Sequence, residues 1–394
     1  MSAGVKVHGM DGKLVEPDWP PLHRDEVRNL LHCYPALDGR FEILSCSPRP
    51  LSAASVVVTP RGHIFVKRHH QAVRNRAGLV EEHRFLAHLA SAGGQVPQVL
   101  ASASAETAIQ FGEWVYEVHD TPPGIDLYGD AISWMPFRSP AHARAAGEAL
   151  ARLHVAAEDF NAPRRKPQPL VASFTIFSSA NPASAMDDYL AARPSLASHR
   201  ELRECTREAL DLLAPFHAEL APLLPHLTPL WTHNDLHSSN LFWSDASDTA
   251  HATAVIDFGL ADLTNAVHDI AHAIERNVVE WLVLVQGPAN PELVPIHFDH
   301  LEALLAGYES VRPLSPAEAA ALAPMAALCH VEFALSEADY FLGVLHSEER
   351  ARMAYDGWLV GHAQWFRGPG AQILDALRRR ADTHRESETD ARSR

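Results

Sequence analysis

Apolar and β-branched residues form short runs over the first third of the chain, a pattern typical of strands. Five strands are predicted, at residues 41–44, 54–58, 63–67, 96–99 and 114–118. Pro60-Arg61-Gly62 lies between the second and third runs and predicts a tight hairpin. Helices are predicted at 22–33 and 78–90, and Gly93-Gly94 ends the second. The pattern predicts a mostly β first lobe that ends near residue 119.

Beyond Ser139 the apolar positions recur at helical spacing, and Ser139 is a suitable N-cap for a helix over 141–157. Further helices are predicted at 200–224, 266–285, 298–309, 315–345 and 370–381. Residues 160–185 carry Pro and Ser and predict a loop or mobile insertion. We therefore predict an α+β fold of two lobes. Its segments are a flexible N-terminal arm (1–20), a β-rich N-lobe (21–119), a mainly helical C-lobe (120–382) and a disordered tail (383–394).

The most informative motif runs from His233 to Asn240 and is followed by Asp257-Phe258-Gly259. The apolar runs 241–243 and 253–256 flank a polar turn and predict an antiparallel hairpin, which places Asn240 beside Asp257. An amide oxygen and a carboxylate at one place suit Mg²⁺. Asp235 lies upstream in the same loop, where it can accept a proton from a bound hydroxyl. These residues predict phosphoryl transfer, with Asp235 as base and Asn240 and Asp257 as metal ligands.

Two other interpretations of this motif were weighed. Asp and Asn are common in turns for backbone reasons alone, but the matched offsets of Asp235, Asn240 and Asp257 disfavour that explanation. His233 and His237 are four residues apart, yet a helical metalloprotease pair requires Glu directly after the first histidine. We interpret His233 as a structural residue of the loop and leave His237 unassigned.

A second group of residues predicts the nucleotide end of the site. Lys67 ends a strand and shares a face with Phe65. Glu82 lies on the following helix at the same phase as Leu86 and Leu89, so it faces inward. We expect an ion pair between Lys67 and Glu82 that aims the ammonium at nucleotide phosphates, the alternative being two unrelated surface charges. Backbone groups of Glu117, Val118 and His119 are candidates for hydrogen bonds to a base edge.

Composition limits the kinds of partner. A chain of 394 residues that is 47% hydrophobic can bury a core for two lobes. The formal net charge of −16 argues against nucleic acid or an anionic membrane as a partner and is compatible with a cationic substrate. Four cysteines without a C-x-x-C pair predict neither a disulfide framework nor a zinc site. Residues 1–19 lack the order of a signal peptide, so we expect a cytoplasmic protein. The sequence does not distinguish a monomer from a homodimer.

From residue 41 to residue 345 these positions resemble the aminoglycoside phosphotransferase and choline kinase-like family of small-molecule kinases. The resemblance implies a two-lobed, protein-kinase-like fold with ATP or GTP as donor and Mg²⁺ as cofactor. It implies that Asp235 is the catalytic base, that Asn240 and Asp257 bind Mg²⁺, and that Glu82 holds a phosphate-binding Lys67. Asp269 matches a further family aspartate, for which we favour a structural role.

Two features depart from the protein-kinase pattern. The loop 47–55 has no glycine, and we expect the hydroxyls of Ser52 and Ser55 to bind the nucleotide in place of a glycine-rich backbone. Only eleven residues separate Asp257 from Asp269, and no Ala-Pro-Glu follows. A polypeptide substrate requires a longer activation segment. The acceptor is therefore expected to be a small molecule.

The expected reaction is transfer of the γ-phosphate of ATP or GTP to a hydroxyl of a small molecule. An antibiotic acceptor, as in resistance by phosphorylation, and a metabolic acceptor such as an amino alcohol, homoserine or a sugar both remain open, and a non-catalytic pseudokinase is the rival outside the enzymes. The stretch from Gly307 to Glu318 faintly resembles bacterial homoserine kinases. Acids of the C-lobe helices could meet an acceptor amine or form a solvated helix face; they are Glu275, Glu280, Glu332, Glu337 and Asp339.

Overall fold

The computed structural model describes residues 6–9, 12–283 and 294–392 of the chain. Two short strands come first, β1 (Val7–His8) and β2 (Leu14–Val15), and pair as a hairpin. The N-lobe then consists of α1 (Arg24–Leu31), β3 (Glu42–Cys46), β4 (Ala53–Thr59), β5 (Gly62–His70), α2 (Arg76–Ser91), β6 (Ile109–Phe111) and β7 (Trp114–Asp120). Its strands form one antiparallel sheet in the order β3-β4-β5-β7-β6. The predicted β-rich first lobe is present.

Because side chains alternate along each strand, one face of this sheet packs in the core with α1 and the other carries the Lys67 side chain. Val57, Ile64, Val66 and Val118 are almost fully buried and pack in one cluster with the apolar side of α1. Lys67 lies next to Val66 in β5, so its side chain points to the opposite face. The predicted hairpin joins β4 to β5, with Thr59 opposite Gly62.

The C-lobe is mainly helical, as predicted. Its elements are α3 (Pro140–Ala157), α4 (Pro182–Ala191), α5 (Pro194–Ala197), α6 (Arg200–Leu220), β8 (Pro229–Thr232), β9 (Leu241–Trp243), β10 (Ala252–Val255), β11 (Asp262–Asn265), α7 (Ala266–Val278), α8 (Phe298–Glu309), α9 (Pro316–Leu328), α10 (His330–Asp339), α11 (Glu348–Arg352), α12 (His362–Arg367) and α13 (Ala371–Arg392). Two π-helical segments, Tyr340–Val344 and Met353–Gly361, follow α10 and α11. The strands pair antiparallel as β8 with β11 and β9 with β10.

Helices α3 and α8 cross in unusually close contact because each carries a glycine at the crossing. A Cβ atom added to Gly147 would lie 2.0 Å from the carbonyl oxygen of Leu304, and one added to Gly307 would lie 2.0 Å from that of Arg144. Such distances exclude any side chain at either position. The close approach brings His154 of α3 within 2.8 Å of the Tyr308 hydroxyl on α8.

The segment predicted as a loop or mobile insertion, residues 160–185, is irregular but packed. Its residues 170–174, 176 and 177 are buried, and α4 begins at Pro182. The Glu332 carboxylate accepts hydrogen bonds from the backbone N–H groups of Thr175 and Ile176, the latter at 2.7 Å. A buried carboxylate thus satisfies backbone donors that lack a helix or strand partner. The loop alternative of the prediction holds up to residue 181, and the loop is packed rather than exposed.

The predicted N-terminal arm is anchored along its described part. Trp19 stacks on His70 with ring centroids 5.1 Å apart. The Asp18 carboxylate accepts a hydrogen bond from the Tyr340 hydroxyl at 2.9 Å and forms an ion pair with Arg350. At the other end, α13 continues through most of the tail predicted to be disordered, because Arg, Glu and Ala favour helix. Residues 1–5, 10, 11, 393 and 394 lie outside the described residues.

Two of the predicted C-lobe helices, 315–345 and 266–285, are interrupted or end early in the structure. The run predicted at 315–345 is interrupted at Cys329, between α9 and α10, and ends in a π-helical segment. Of the described helices, the span Pro316–Val344 taken as a whole is long and apolar enough to cross a membrane, but 94% of its most apolar window is buried inside the protein. The helix predicted at 266–285 ends at Val278, because Val279 is extended and bridges to Ile296. Residues 284–293 are not described.

Candidate active site

The loop from His233 to Asn240 follows β8 and is fixed by a buried carboxylate. Asp269, in the first turn of α7, accepts the backbone N–H groups of His233 and Asn234, both at 2.8 Å, and lies 3.0 Å from His154 Nε2. Burial would raise the pKa of Asp269, but the hydrogen bond and charge of His154 and the field of His233 lower it below its usual value. These contacts agree with the structural role predicted for Asp269, because its carboxylate fixes the backbone of the loop.

Two residues of the site have positive φ angles, which residues other than glycine rarely adopt. Asn234 has φ of +61° and Asp257 has φ of +63°. The Asn234 amide offsets the strain by local hydrogen bonds, because its Oδ1 accepts from the Thr232 hydroxyl at 2.8 Å and its Nδ2 donates to the Ala172 carbonyl at 3.0 Å. Strained positions of this kind cluster at functional sites.

The predicted hairpin forms and brings the two proposed metal ligands to its open end. Val255 of β10 pairs with Leu241 of β9, and the N–H of Ile256 donates to the carbonyl of Asn240 at 2.9 Å. Asn240 and Asp257 line one cavity. The Asn240 Nδ2 donates to the Asp235 backbone oxygen at 2.9 Å and to Asp235 Oδ2 at 3.2 Å. Because Nδ2 is used in this way, Oδ1 is the amide atom that can bind a cation.

His233 connects the two halves of the motif. Its Nδ1 accepts the N–H of Asp235 at 3.1 Å, so Nε2 carries the proton and donates to the Ile256 carbonyl at 2.9 Å. The ring also packs edge-on against Phe258, with centroids 4.7 Å apart. His237 lies close by, with Nε2 3.8 Å from Asp235 Oδ2, and burial lowers its pKa well below the ordinary value. A neutral His237 is therefore expected at neutral pH.

An ion pair joins the two lobes across the cleft. Lys67 Nζ of β5 lies 2.8 Å from Asp257 Oδ1. Burial alone would lower the pKa of Lys67, but the charge of Asp257 raises it above its usual range. Burial would likewise raise the pKa of Asp257, and the charge and hydrogen bond of Lys67 hold it far below that of an ordinary carboxyl. Both groups are charged over the working pH range.

The predicted ion pair between Lys67 and Glu82 is not the one that forms. Glu82 is buried on α2 and lines the cleft, as its phase predicted, but its Oε2 lies 3.8 Å from Arg165 Nη2. The same guanidinium donates to the carbonyls of Gly78 at 2.9 Å and Gly259 at 3.2 Å. Arg165, from the irregular segment of the C-lobe, is thus a second cation near Glu82. The spacing of Lys67 on its strand and Glu82 on its helix gives no sign of this contact.

A cavity of about 370 Å³ lies between the sheet of the N-lobe and the β9–β10 hairpin. The proposed nucleotide and metal residues that line it are Ser52, Lys67, Glu82, Glu117, His119, Asn240 and Asp257. Ser55 and Val118 are not among its lining residues. Ser55 alternates with Ala54 and Val56, which face the cavity, and lies 3.7 Å from Cys46 Sγ. Val118 is in the core, and its carbonyl accepts the N–H of Leu100 at 2.8 Å.

A buried arginine that the sequence analysis missed contacts the proposed base. Arg276 Nε of α7 lies 2.9 Å from Asp235 Oδ1, and its guanidinium lies over the Phe333 ring at 4.4 Å. Burial raises the pKa of Asp235, while the charge of Arg276 opposes that rise. All thirteen residues of α7 are buried. The signal available in the sequence was Arg276 seven residues after Asp269, which places both on the same side of one helix.

The C-lobe acids are buried rather than solvated. Glu275, Glu332, Glu337 and Asp339 are each more than nine-tenths buried, whereas Glu280 is half-buried and pairs with His297. Burial raises the pKa of Glu275 to about 7, with Arg276 opposing the rise and Asp235 adding to it. Burial also raises the pKa of Glu337 well above its ordinary value. The interpretation of these four acids as a solvated helix face is wrong.

Comparisons with known proteins agree with this architecture. A model of the phosphotransferase enzyme family matches residues 51–314. The homoserine kinase of Methylorubrum populi is 28% identical over 287 residues, which cover 73% of this chain and 76% of that protein. The homoserine kinase of Xanthobacter autotrophicus is 29% identical over 292 residues, which cover 73% of this chain and 77% of that protein. An uncharacterized protein of Deinococcus radiodurans is 28% identical over 273 residues, and the match covers 66% of this chain but only 64% of that protein.

Solved structures share the fold at low sequence identity. A microcompartment-associated aminopropanol kinase superposes with a TM-score of 0.57 at 17% identity, covering 89% of this chain and 98% of that one. The amicoumacin kinase hAmiN superposes with a TM-score of 0.55 at 13% identity, covering 86% and 92%. These likenesses confirm the predicted two-lobed kinase-like fold, and the family model covers more than half of the chain. The chain belongs to the phosphotransferase enzyme family and is a small-molecule kinase.

Proposed function

We propose that this kinase transfers the γ-phosphoryl group of ATP or GTP to the hydroxyl of a small amine-bearing metabolite, an amino alcohol or a hydroxy amino acid such as homoserine. The observation that carries the proposal is that Lys67, Asn240 and Asp257 line one cleft and that Asn240 contacts Asp235 behind it. Asn240 Nδ2 lies 3.2 Å from Asp235 Oδ2, and Lys67 Nζ lies 2.8 Å from Asp257 Oδ1. Phosphoryl transfer requires little else from a protein than positioning and charge.

Asp235 is the proposed base. Arg276 holds one carboxylate oxygen and Asn240 the other, so the group is oriented before an acceptor arrives. Its raised pKa makes it a stronger proton acceptor than an exposed aspartate. Asp235 accepts the hydroxyl proton as the new oxygen–phosphorus bond forms and the bond from the γ-phosphorus to the bridging oxygen of the donor breaks. General-base catalysis of this kind contributes about 10²–10⁴-fold to a rate.

Asn240 and Asp257 fit Mg²⁺, because an amide oxygen and a charged carboxylate are hard oxygen donors at the same end of the cleft. Mg²⁺ bound there supplies positive charge to the phosphate oxygens. Lys67 supplies an ammonium for the phosphates from the N-lobe side. Ser52 is the proposed hydroxyl contact from the β3–β4 loop, and the backbone beside Glu117 and His119 is the proposed contact to the base.

The acceptor class rests on named relatives and on charge next to the base. Two relatives at 28–29% identity are homoserine kinases, and a structural neighbour is an aminopropanol kinase. Glu337 is 2% exposed and its Oε2 has no hydrogen-bond partner among the described residues. Burial raises the pKa of Glu337, Arg276 opposes the rise, and the charges of Asp235 and Glu275 add to it. An ammonium group of the acceptor would stabilise the charged form of this carboxyl and give its Oε2 a partner. The aromatic rings of Trp134 and Phe333 pack nearby.

An acceptor panel with NTP tests the proposal. Tag-free protein is incubated with Mg²⁺, ATP or GTP, and L-homoserine, 1-amino-2-propanol, choline, a hexose or an aminoglycoside, and the phosphorylated product is measured by mass spectrometry. We expect product with an amino alcohol or homoserine, and a loss of about 10²–10⁴-fold in the Asp235→Asn variant. Asp245→Asn, at an exposed position on the β9–β10 turn, is the matched control and retains activity.

Three outcomes would contradict parts of this proposal. Phosphorylation of the aminoglycoside alone would replace the metabolic acceptor by an antibiotic. Equal product from parent and Asp235→Asn would remove the base assignment. The absence of any nucleotide turnover or product with every acceptor would favour a binding module.

We keep the cytoplasm as the proposed compartment, which the four free thiols suit.

A further inference from the structure

Three histidines surround one carboxylate where β5, α2 and β7 meet. This histidine cluster consists of His69, His83, Glu117 and His119. Glu117 Oε1 lies 2.8 Å from His69 Nε2, and Oε2 lies 2.9 Å from both His83 Nε2 and His119 Nε2. Each of the four residues is more than nine-tenths buried. The proposed phosphoryl transfer assigns no role to any of these side chains, although Glu117 and His119 line the cleft.

We propose that the histidine cluster binds a transition-metal ion of the Zn²⁺ class, at a site separate from Asn240 and Asp257. One donor atom each from His83, Glu117 and His119 lie within 4.8 Å of one another. Two imidazoles and one carboxylate are the protein ligands of zinc sites that keep a fourth position open. His69 binds the other oxygen of Glu117, the contact by which outer residues orient a ligating carboxylate.

The distances require only a small rearrangement to hold a metal ion. Zinc binds nitrogen and oxygen at about 2.0–2.2 Å, so two ligand atoms of a tetrahedron lie about 3.3–3.6 Å apart. The contacts from His83 and His119 to Glu117 Oε2 are 2.9 Å long. Each would lengthen by roughly half an ångström as the ion replaces a shared proton. Side-chain rotation covers a change of this size without movement of the strands.

The unpartnered atoms of the cluster also favour an exchange of protons for a metal ion. With hydrogen bonds alone, each ring must carry its proton on Nε2. Nδ1 of His83 and Nδ1 of His119 are then buried without a partner among the described residues. No contact on the Nδ1 side fixes that tautomer, so moving the proton to Nδ1 frees Nε2 for a metal without breaking a hydrogen bond there. Buried polar atoms without partners indicate a missing water or ion.

The two proposed ion sites select different metals by their donor atoms. Imidazole nitrogen suits Zn²⁺, Co²⁺ and Ni²⁺, whereas Mg²⁺ prefers oxygen ligands and retains its water. The cluster also joins β5, which carries Lys67, to α2, which carries Glu82, and to β7. A metal ion bound here would link α2 to β7 directly, and His69 would connect β5 to it through Glu117.

Metal titration of tag-free, chelator-treated full-length protein tests the proposal. Co²⁺ is added and its visible d–d absorption recorded, and Zn²⁺ content is measured after unbound metal is removed. We expect one equivalent of tightly bound metal, tetrahedral Co²⁺ bands and retention in millimolar Mg²⁺. His83→Gln should abolish binding, and His69→Gln should weaken it about 10–100-fold, as loss of an outer-shell partner does. His300→Gln is the matched control, from a second and more exposed group with His297 and Asp299, and should bind as the parent does.

Several results would overturn the site. These are less than about a tenth of an equivalent bound by the parent, equal binding by His83→Gln and parent, or displacement by Mg²⁺. Zinc X-ray absorption of the parent gives an answer that does not depend on folding of a variant: two imidazoles and a carboxylate at about 2.0–2.2 Å support the site, and sulfur scattering contradicts it. Asp257→Ala should keep its zinc even if phosphoryl transfer is lost, which separates this proposal from the proposed function.

Discussion

Replacing Arg276 with methionine would test whether its guanidinium controls the protonation of Asp235. Methionine keeps an unbranched side chain against Phe333 and removes the charge whose Nε lies 2.9 Å from Asp235 Oδ1. Two opposite unit charges with centres about 4 Å apart interact by about 4 kcal/mol at an effective dielectric constant of 20, which equals about three pKa units. The hydrogen bond from Asn240 remains in the variant. We therefore expect the pKa of Asp235 to rise by about 1–3 units.

The direction of the pH shift follows from the protonation state that Asp235 must have in catalysis. Asp235 must be deprotonated to accept the hydroxyl proton, and burial already raises its pKa above that of an ordinary aspartate. A further rise protonates the group at higher pH. The acid limb of log kcat/KM against pH should therefore move upward by about 1–3 units in Arg276→Met, while Arg276→Lys, which keeps a positive charge, should shift less.

The assay is the pH dependence of initial rates with the best acceptor of the panel, at saturating Mg²⁺ and nucleotide. Breaking a buried ion pair costs about 3–5 kcal/mol of stability, so each variant must first be shown to be folded at the assay temperature. If Arg276→Met is slower at every pH but its acid limb coincides with that of the parent within about 0.3 units, the reasoning is refuted. Arg276 would then support the loop without setting the charge of Asp235.

Three further predictions concern stability. The pKa of Glu275 is about 7 in the folded protein, against 4.5 for a glutamate without these surroundings, so its contribution to stability is present below about pH 4.5 and is lost as pH rises through 7. The free energy of unfolding should fall by roughly 3 kcal/mol over that window, and Glu275→Gln should flatten the change in urea titrations. Asp269→Asn should cost about 1.5–3 kcal/mol for each weakened hydrogen bond to the charged group, measured the same way. Gly147→Ala should destabilise by at least about 1–3 kcal/mol, whereas alanine at Gly357, whose added Cβ meets nothing within 4 Å, should be neutral or stabilising; equal midpoints would contradict the packing argument.

The parts of the fold and site that the sequence predicted are those set by local spacing. The hairpin that brings Asn240 near Asp257 needs only two apolar runs and a turn, and the helix at 298–309 was predicted with the bounds that α8 has. Ser55 was misplaced because it was assigned to the loop 47–55, whereas β4 begins at Ala53 and alternation turns Ser55 to the face opposite Ala54 and Val56, which line the cavity.

The contacts that the sequence could not predict join distant segments. Arg276 meets Asp235 from 41 positions further along the chain, at 2.9 Å. Arg165 approaches Glu82 from a segment without regular structure, which no periodicity describes. Sequence spacing identifies which groups can do chemistry, and tertiary packing decides which charges surround them.

The glycine crossing of α3 and α8 has a consequence for activity at a distance. His154 lies on α3 and contacts both Tyr308 of α8 and Asp269, and Asp269 in turn fixes the backbone of the loop that carries Asp235. A methyl group at the crossing would separate the helices and shift His154 with them. Substitutions there should consequently reduce turnover through misplacement of a remote carboxylate, so a screen for catalytic defects would report positions that never touch substrate.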